Sequence, residues 1–469
     1  MNRRFRRFNL RFLKEWAMNI RNFMLIIVTL LVTVLFLVGC GPSETFDDRL
    51  QAIVTAQGIR PYEPPPPADP ALVALGEALY FDKILSGNRD ISCATCHHPT
   101  QASGDGLPVS IGTGGVGLGP QRQMGAGRER IPRNAPEVFN RGAAEWRTMF
   151  WDSRVMLDED GEFVSPAGNR LPDGLQNVLA VQALFPVTAR DEMRGDRGDV
   201  DVLGQPNELA AIADTNIPAI WDGLMKRLLA VPEYAALFQA AYPNTPPEEL
   251  DFAHAANAIA AYEAEAFSLY QSPWYAYLNG DRSAMSDEAK RGAVLFFGDT
   301  GCAACHSGPL FTDQQAHVIA APQIGPGKGI AAPYDFGRFW ETGDPRDKYA
   351  FRTPPLLNVA ATGPWMHDGA YSTLEAVIQH HLDPDTALRN YVPAEHLPPD
   401  LQDSFQTNLA VIEEMLGNVD PMLAPSRQLS PQEVEALAAF LEALTDTAVT
   451  DLANIMPTAV PSGLPVTEN

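Results

Sequence analysis

Two short runs carry most of the chemistry of this sequence: Cys93-Ala-Thr-Cys96-His97 and Cys302-Ala-Ala-Cys305-His306. Cys-x-x-Cys-His is the spacing that attaches haem covalently: the two thiols bond its vinyl groups, and the adjacent histidine ligates the iron from one face. One copy alone would also suit a zinc half-site or a redox dithiol. Two copies point to two covalently bound haem c groups. A pair of zinc or disulfide motifs would need further Cys or His at ligand spacing, and only His98 stands nearby. With His97 and His306 as one ligand each, the opposite position on each iron decides whether that haem passes electrons or does chemistry.

The candidate opposite ligands lie on predicted helices. Read as a helix, Thr373–His381 places Leu374, Val377, Ile378 and His381 at i, i+3, i+4 and i+7, on one face. That turns His381 with the apolar stripe towards the core and His380 away from it. A histidine on an apolar face is ordinarily a core residue, but here a haem in the same region needs a ligand. His306 and His381 are therefore expected to clamp the second haem, with His380 and Met366 as alternatives. Asp69 and Pro70 open a helix as N-cap and first helical residue, and Ser286-Asp287-Glu288 opens another. Helical patterns run over 175–184, 216–229 and 248–269, and Ser430 with Glu433 forms a capping box. Leu75-Gly76-x-x-Leu79-Tyr80-Phe81 before the first motif is repeated as Arg291-Gly292-x-x-Leu295-Phe296-Phe297 before the second. Strand patterns are scarce. The expected fold is mainly α, with two tandem cytochrome c-like domains over 69–281 and 282–447, each around one haem.

The ends of the chain read differently. Of five cysteines, four are in the two motifs, and the fifth, Cys40, closes an apolar run from Phe23 to Val38 preceded by Arg3, Arg4, Arg6, Arg7, Arg11, Lys14 and Arg21. A basic region followed by an apolar one and small residues is the anatomy of an export signal, assigned to 1–40. The Leu-x-Gly-Cys ending resembles the bacterial lipoprotein box, whose cysteine is acylated. An uncleaved anchor is the alternative, although the apolar run is shorter than the ~20 residues a spanning helix needs. Either way the folded part is expected in the periplasm or at the cell surface, tethered to a membrane through Cys40. Residues 41–68 read as a Pro-rich tether ending in Pro64–Pro67, and 448–469 as a disordered tail. The net charge of −24 argues against a nucleic-acid partner.

Several ordered motifs resemble the bacterial dihaem cytochrome c peroxidase family, whose superfamily includes the methylamine-utilisation dihaem oxidase MauG. They are Arg133-Asn134-Ala135-Pro136-Glu137-Val138-Phe139-Asn140, Phe150-Trp151-Asp152-Ser153-Arg154, Arg352-Thr353-Pro354-Pro355-Leu356-Leu357-Asn358 and His367-Asp368-Gly369. The resemblance spans roughly 69–446. It implies a peroxide-binding haem in the first domain and an electron-entry haem in the second. It also implies that Gln182, Pro186 and Glu192 are distal-pocket residues, that Trp151 lies between the haems, and that Asn134, Thr362 and Pro364 ligate a calcium ion between the domains.

Two departures from the family pattern bear on function. Many of these peroxidases carry a histidine about sixteen residues after the first motif that blocks the peroxide haem; here Thr113 stands there, so the first haem is expected to be open. At the position of His381 typical members have Met and MauG has Tyr. Residues between Arg154 and Leu175 form an insertion. The reaction expected is reduction of hydrogen peroxide to water with electrons from a small donor protein, a cytochrome c or a cupredoxin. Glu192 would shuttle a proton between the peroxide oxygens and Gln182 would orient them. The alternatives are a MauG-like oxidation of a partner protein and a non-catalytic dihaem electron carrier. A homodimer is left open.

Overall fold

Two crossed helix pairs, built on the same plan, set the positions of the two Cys-x-x-Cys-His turns. The computed structural model describes residues 12–28 and 45–468. In the first pair, helix α2 (Pro70–Phe81) packs on α4 (Phe252–Ala266). In the second, α5 (Asp287–Phe297) packs on α7 (Pro431–Glu442). The reason is visible at one glycine in each. A Cβ on Gly76 would lie 1.9 Å from the Ala258 carbonyl oxygen, and one on Gly292 would lie 1.8 Å from that of Ala436. Only glycine lets the backbones approach so closely. Aromatic pairs one turn on complete each crossing, Tyr80–Tyr262 and Phe296–Phe440, both with ring centres 5.2 Å apart.

The repeat extends beyond what the sequence motifs suggested. Asn140 and Asn358 both take positive φ, at 55° and 66°, a region that asparagine tolerates better than most residues. Their backbone amides donate to the carbonyls of Phe267 and Leu444, just beyond α4 and α7. Their side-chain amides both donate to the carbonyl of Leu269, at 2.7 and 2.9 Å. One backbone oxygen thus joins the two halves.

The caps form as anticipated: the Asp69 side chain accepts from Ala71, that of Ser286 from Ala289, and Ser430 with Glu433 forms the box. Three short strands, β1 (Thr148–Met149), β2 (Val155–Leu157) and β3 (Phe163–Val164), form an antiparallel sheet in that order, so the chain after Arg154 folds back as a hairpin. Strands β4 (Ala316–Val318) and β5 (Ala350–Arg352) pair antiparallel.

Three expectations are corrected. The segment taken as an extended tether contains helix α1 (Phe46–Gln57), with a Thr45–Asp48 capping box and Leu50 fully buried. It docks on α5, where Asp47 pairs with Lys290 at 3.3 Å. The tail taken as disordered is instead packed on the first half of the molecule. Val449, Leu452 and Val460 are buried, Ser462 bonds Asp82, and Glu468 pairs with Lys83. His380 does not point away from the core; it is fully buried. It lies on α6 (Leu374–Leu382), and its two ring nitrogens meet the Tyr371 hydroxyl and the Ile319 carbonyl. Cys40 and the end of the apolar run lie outside the described residues. Among the described residues, no helix is long and apolar enough to cross a membrane.

Candidate haem centres

The single turn Cys93–Cys96 packs against α2 and is capped by Ser92 and Thr95. His97 follows as its C-cap, and its carbonyl accepts from the Tyr80 hydroxyl at 2.7 Å. The His97 Nδ1 faces the Ser103 carbonyl at 3.4 Å, and that of His306 faces the Phe311 carbonyl at 3.1 Å. Burial lowers both imidazoles to about 4, so each is neutral near pH 7, the form that ligates metals. In each case Nδ1 is engaged and Nε2 is left for a ligand role.

The surroundings of the two histidines differ. His381 stands across from His306, with ring centres 6.3 Å apart and planes at 59°. Its Nδ1 bonds the Val377 carbonyl at 2.8 Å, one helical turn back. Two imidazoles bonded at about 2 Å to one metal between them need roughly this ring separation. His380, one of the alternatives, has both nitrogens occupied, by the Tyr371 hydroxyl at 2.9 Å and the Ile319 carbonyl at 2.7 Å. Met366 packs in a separate apolar cluster with Val109, Ile324 and Tyr371. Among the described residues no second imidazole stands in ring contact with His97. The Thr113 hydroxyl is turned to Asp90 at 2.8 Å and accepts from Asn88 at 3.1 Å.

Glu192 lies in a wide helical turn over Arg190–Arg194. Three successive carbonyls of that turn are held from outside: Glu192 by the Thr113 amide at 2.9 Å, Met193 by the Gly87 amide at 2.7 Å, and Arg194 by the Asn207 side chain at 2.7 Å. Burial raises the Glu192 carboxyl, against the pull of Arg154. Arg190 and Arg194 both pair with Asp214 rather than with Glu192, and the Arg194 side chain is itself buried. Glu192 is half-buried and is not the fully solvated charge that its neighbours in sequence suggest. Gln182 is the one half-buried residue in the otherwise buried run from Val178 to Leu184, at the end of α3 (Val178–Ala183).

Trp151 joins the two halves: its indole N–H donates to the Asn134 carbonyl at 3.0 Å, and its own carbonyl accepts from the Arg352 amide at 2.8 Å. Of the proposed calcium ligands, Asn134 is tied to the segment that follows Pro364, its amide donating to the His367 carbonyl at 2.8 Å. The Asn134 side chain donates to the Leu107 carbonyl at 2.7 Å, the Thr362 hydroxyl to that of Val359 at 3.2 Å, and Pro364 follows a cis peptide.

Sequence reasoning missed a buried ionic network between the halves. Asp152 accepts from Arg133 at 2.6 Å, Lys328 at 2.7 Å and Arg154 at 3.1 Å, while Arg133 also pairs with Asp335 at 2.6 Å. It also missed Arg141 and Arg352, which flank the buried Trp146 ring with guanidinium carbons 4.4 and 5.3 Å from its centre. Arg133 and Arg352 open two of the quoted motifs, so position in a motif was the available signal. Arg141 Nη1 and Glu263 Oε2 are buried without a hydrogen-bond partner, and burial pushes the Glu263 carboxyl up to about 8. Orphaned polar atoms near the first motif, together with facing imidazoles at the second, fit a group with carboxylate arms and a ligated metal, as haem is.

Comparison with known proteins agrees. The family model described as di-haem cytochrome c peroxidase matches residues 70–283. The methylamine utilization protein MauG of Methylorubrum extorquens is 34% identical over 319 residues, covering 67% of this chain and 70% of that protein. The chain belongs to the di-haem cytochrome c peroxidase family. The cytochrome c551 peroxidase of Pseudomonas aeruginosa is 28% identical over 362 residues, 77% of this chain and 84% of that protein. The crystal structure of a MauG-like protein associated with microbial copper homeostasis superposes with a TM-score of 0.57 at 26% identity, over 83% of this chain and 95% of that one. This family member is an oxidoreductase of the cytochrome-c peroxidase type, and its family membership implies haem cofactors.

Proposed function

We propose that this protein reduces hydrogen peroxide to water at a haem held by Cys93, Cys96 and His97. Electrons from a small redox protein enter at a second haem held by Cys302, Cys305, His306 and His381. One peroxide, two electrons and two protons give two waters. The observation that supports this reading is the asymmetry between His306, faced by His381 at 6.3 Å, and His97, faced by no other imidazole among the described residues. Bound haem supplies the redox chemistry that cleaves the O–O bond. Glu192 takes the proton from one peroxide oxygen and returns it to the other, a task suited to a carboxyl raised by burial. Gln182 orients the peroxide by hydrogen bonds, and Trp151, bonded into both halves, lies on the electron route. Trp146 is less suited to that route, because two flanking cations oppose removal of an electron from its ring. Asn134, Thr362 and Pro364 are proposed as calcium ligands, and the protein as periplasmic or surface-bound through Cys40.

The second reading is oxidation of a partner protein, favoured by the 34% identity to MauG and by Thr113 in place of a blocking histidine. Steady-state assays separate the two. Peroxide consumption that depends on a reduced cytochrome c or cupredoxin is expected. Peroxide consumption that proceeds only when a partner protein becomes oxidised would overturn the first reading.

A further inference from the structure

Segment 460–468 ends in a carboxylate that no peroxidase chemistry requires. Glu468 is almost fully buried, and it accepts from the Thr95 hydroxyl at 2.5 Å, from Lys83 at 3.1 Å, and lies 3.7 Å from Arg122. Thr95 sits between the two cysteines of the first motif. Arg122 is itself buried, and its guanidinium donates to the carbonyls of Ile111 at 2.8 Å, Gly117 at 2.8 Å and Gly112 at 2.9 Å. Loop 111–117 is thus wrapped around one cation. The same loop presses on the turn that carries Glu192. A Cβ on Gly112 would lie 1.9 Å from the Asp191 carbonyl oxygen, and the Thr113 amide holds the Glu192 carbonyl.

These contacts form one chain: Glu468, Arg122, loop 111–117, Glu192. A buried guanidinium needs both its hydrogen bonds and a counter-charge. Arg122 gets its hydrogen bonds from the loop and shares the charge of Glu468 with Lys83, with the buried Asp105 also in electrostatic reach. We infer that Glu468 and Arg122 are positioning residues for Glu192, and that segment 460–468 is a strap locking loop 111–117 in the arrangement that leaves the face opposite His97 free. This inference rests on the role proposed for Glu192, but the linkage itself is testable without it.

The test is hydrogen exchange, read by mass spectrometry, on the haem-loaded full chain and its Glu468→Ala and Arg122→Lys variants, with the spin-state spectrum recorded on the same samples. Both variants are expected to exchange faster at 111–117 and at 190–194, with no change at 374–382. The high-spin signal of the first haem is expected to become heterogeneous and that of the second to stay as it was. Peroxide consumption should fall roughly 10- to 100-fold, the scale of a small misplacement of a catalytic group. Unchanged exchange at 111–117 and 190–194 in Glu468→Ala overturns the inference, as does equal loosening around the second haem. If the unaltered protein consumes no peroxide while the variants still loosen those two loops, the strap linkage stands and the peroxidase reading fails.

Discussion

Around Cys93–His97 and around Cys302–His306 the chain repeats one frame: a glycine-mediated helix crossing, an aromatic pair at 5.2 Å, a motif histidine bonded through Nδ1 to a backbone carbonyl, and an asparagine reaching Leu269. The frames diverge on the far side of each histidine. In the second, α6 delivers His381 directly opposite His306. In the first, no second imidazole stands in ring contact with His97 among the described residues; the threonine at 113 is tied to Asp90, and the adjoining turn carries a carboxyl raised by burial. On the proposed function, the shared frame fixes where each haem attaches, and the non-repeated segments decide what it does.

The largest expected effect comes from removing that difference. His381→Ala is expected to convert the low-spin haem to high-spin, so that both centres give the same signal in the visible and magnetic circular dichroism spectra. An unchanged low-spin signal would mean that another side chain fills the place. Next, Glu192→Gln is expected to leave both haems attached and the second spectrum intact while lowering peroxide turnover about 10²–10⁴-fold; stopped-flow kinetics reads this directly.

The helix crossings sharpen the comparison at the level of stability. Gly76→Ala and Gly292→Ala each drive a methyl into a carbonyl, at 1.9 and 1.8 Å. Each is expected to cost about 1–3 kcal/mol or more, with Gly76→Ala disturbing the first haem spectrum and Gly292→Ala the second. Denaturant unfolding followed at both haem bands checks whether the effects stay on their own sides.

The smallest effect concerns Glu263, which has no obvious counterpart in the second frame. Its carboxyl is raised by burial from 4.5 to about 8. The folded state therefore holds a proton that the unfolded chain releases. Stability is fully present below the unfolded value and falls as pH rises through the window, with a slope of at most about 1.4 kcal/mol per pH unit. Glu263→Gln is expected to flatten thermal stability between pH 4.5 and about 8. An equal slope in both proteins would assign it to other groups.

The features legible in the sequence were those set by local rules. Caps at Asp69, Ser286 and Ser430 and the Gly76/Gly292 repeat need only a few neighbouring residues, and each appears in the structure. Helix α1 was legible too, since Thr45 and Asp48 spell a capping box ahead of Leu50, Ile53 and Val54, but the proline run that follows drew the whole segment into a tether. The burial of His380 and the ordering of 448–468 were not legible. Both depend on partners far along the chain, as Thr95 and Glu468 are, 373 positions apart. Glu192 shows the same limit from the other side: its charged neighbours suggest solvent, and only the Thr113 amide on its carbonyl and the burial of its turn show otherwise.

The central claim is that one iron is closed by two imidazoles and the other is available to an oxidant. An electron paramagnetic resonance spectrum of the oxidised, haem-loaded protein tests it most directly. The account predicts one low-spin and one high-spin ferric signal in equal amount, with the high-spin signal alone lost on adding peroxide. Two low-spin signals, neither of which responds to peroxide, would contradict it.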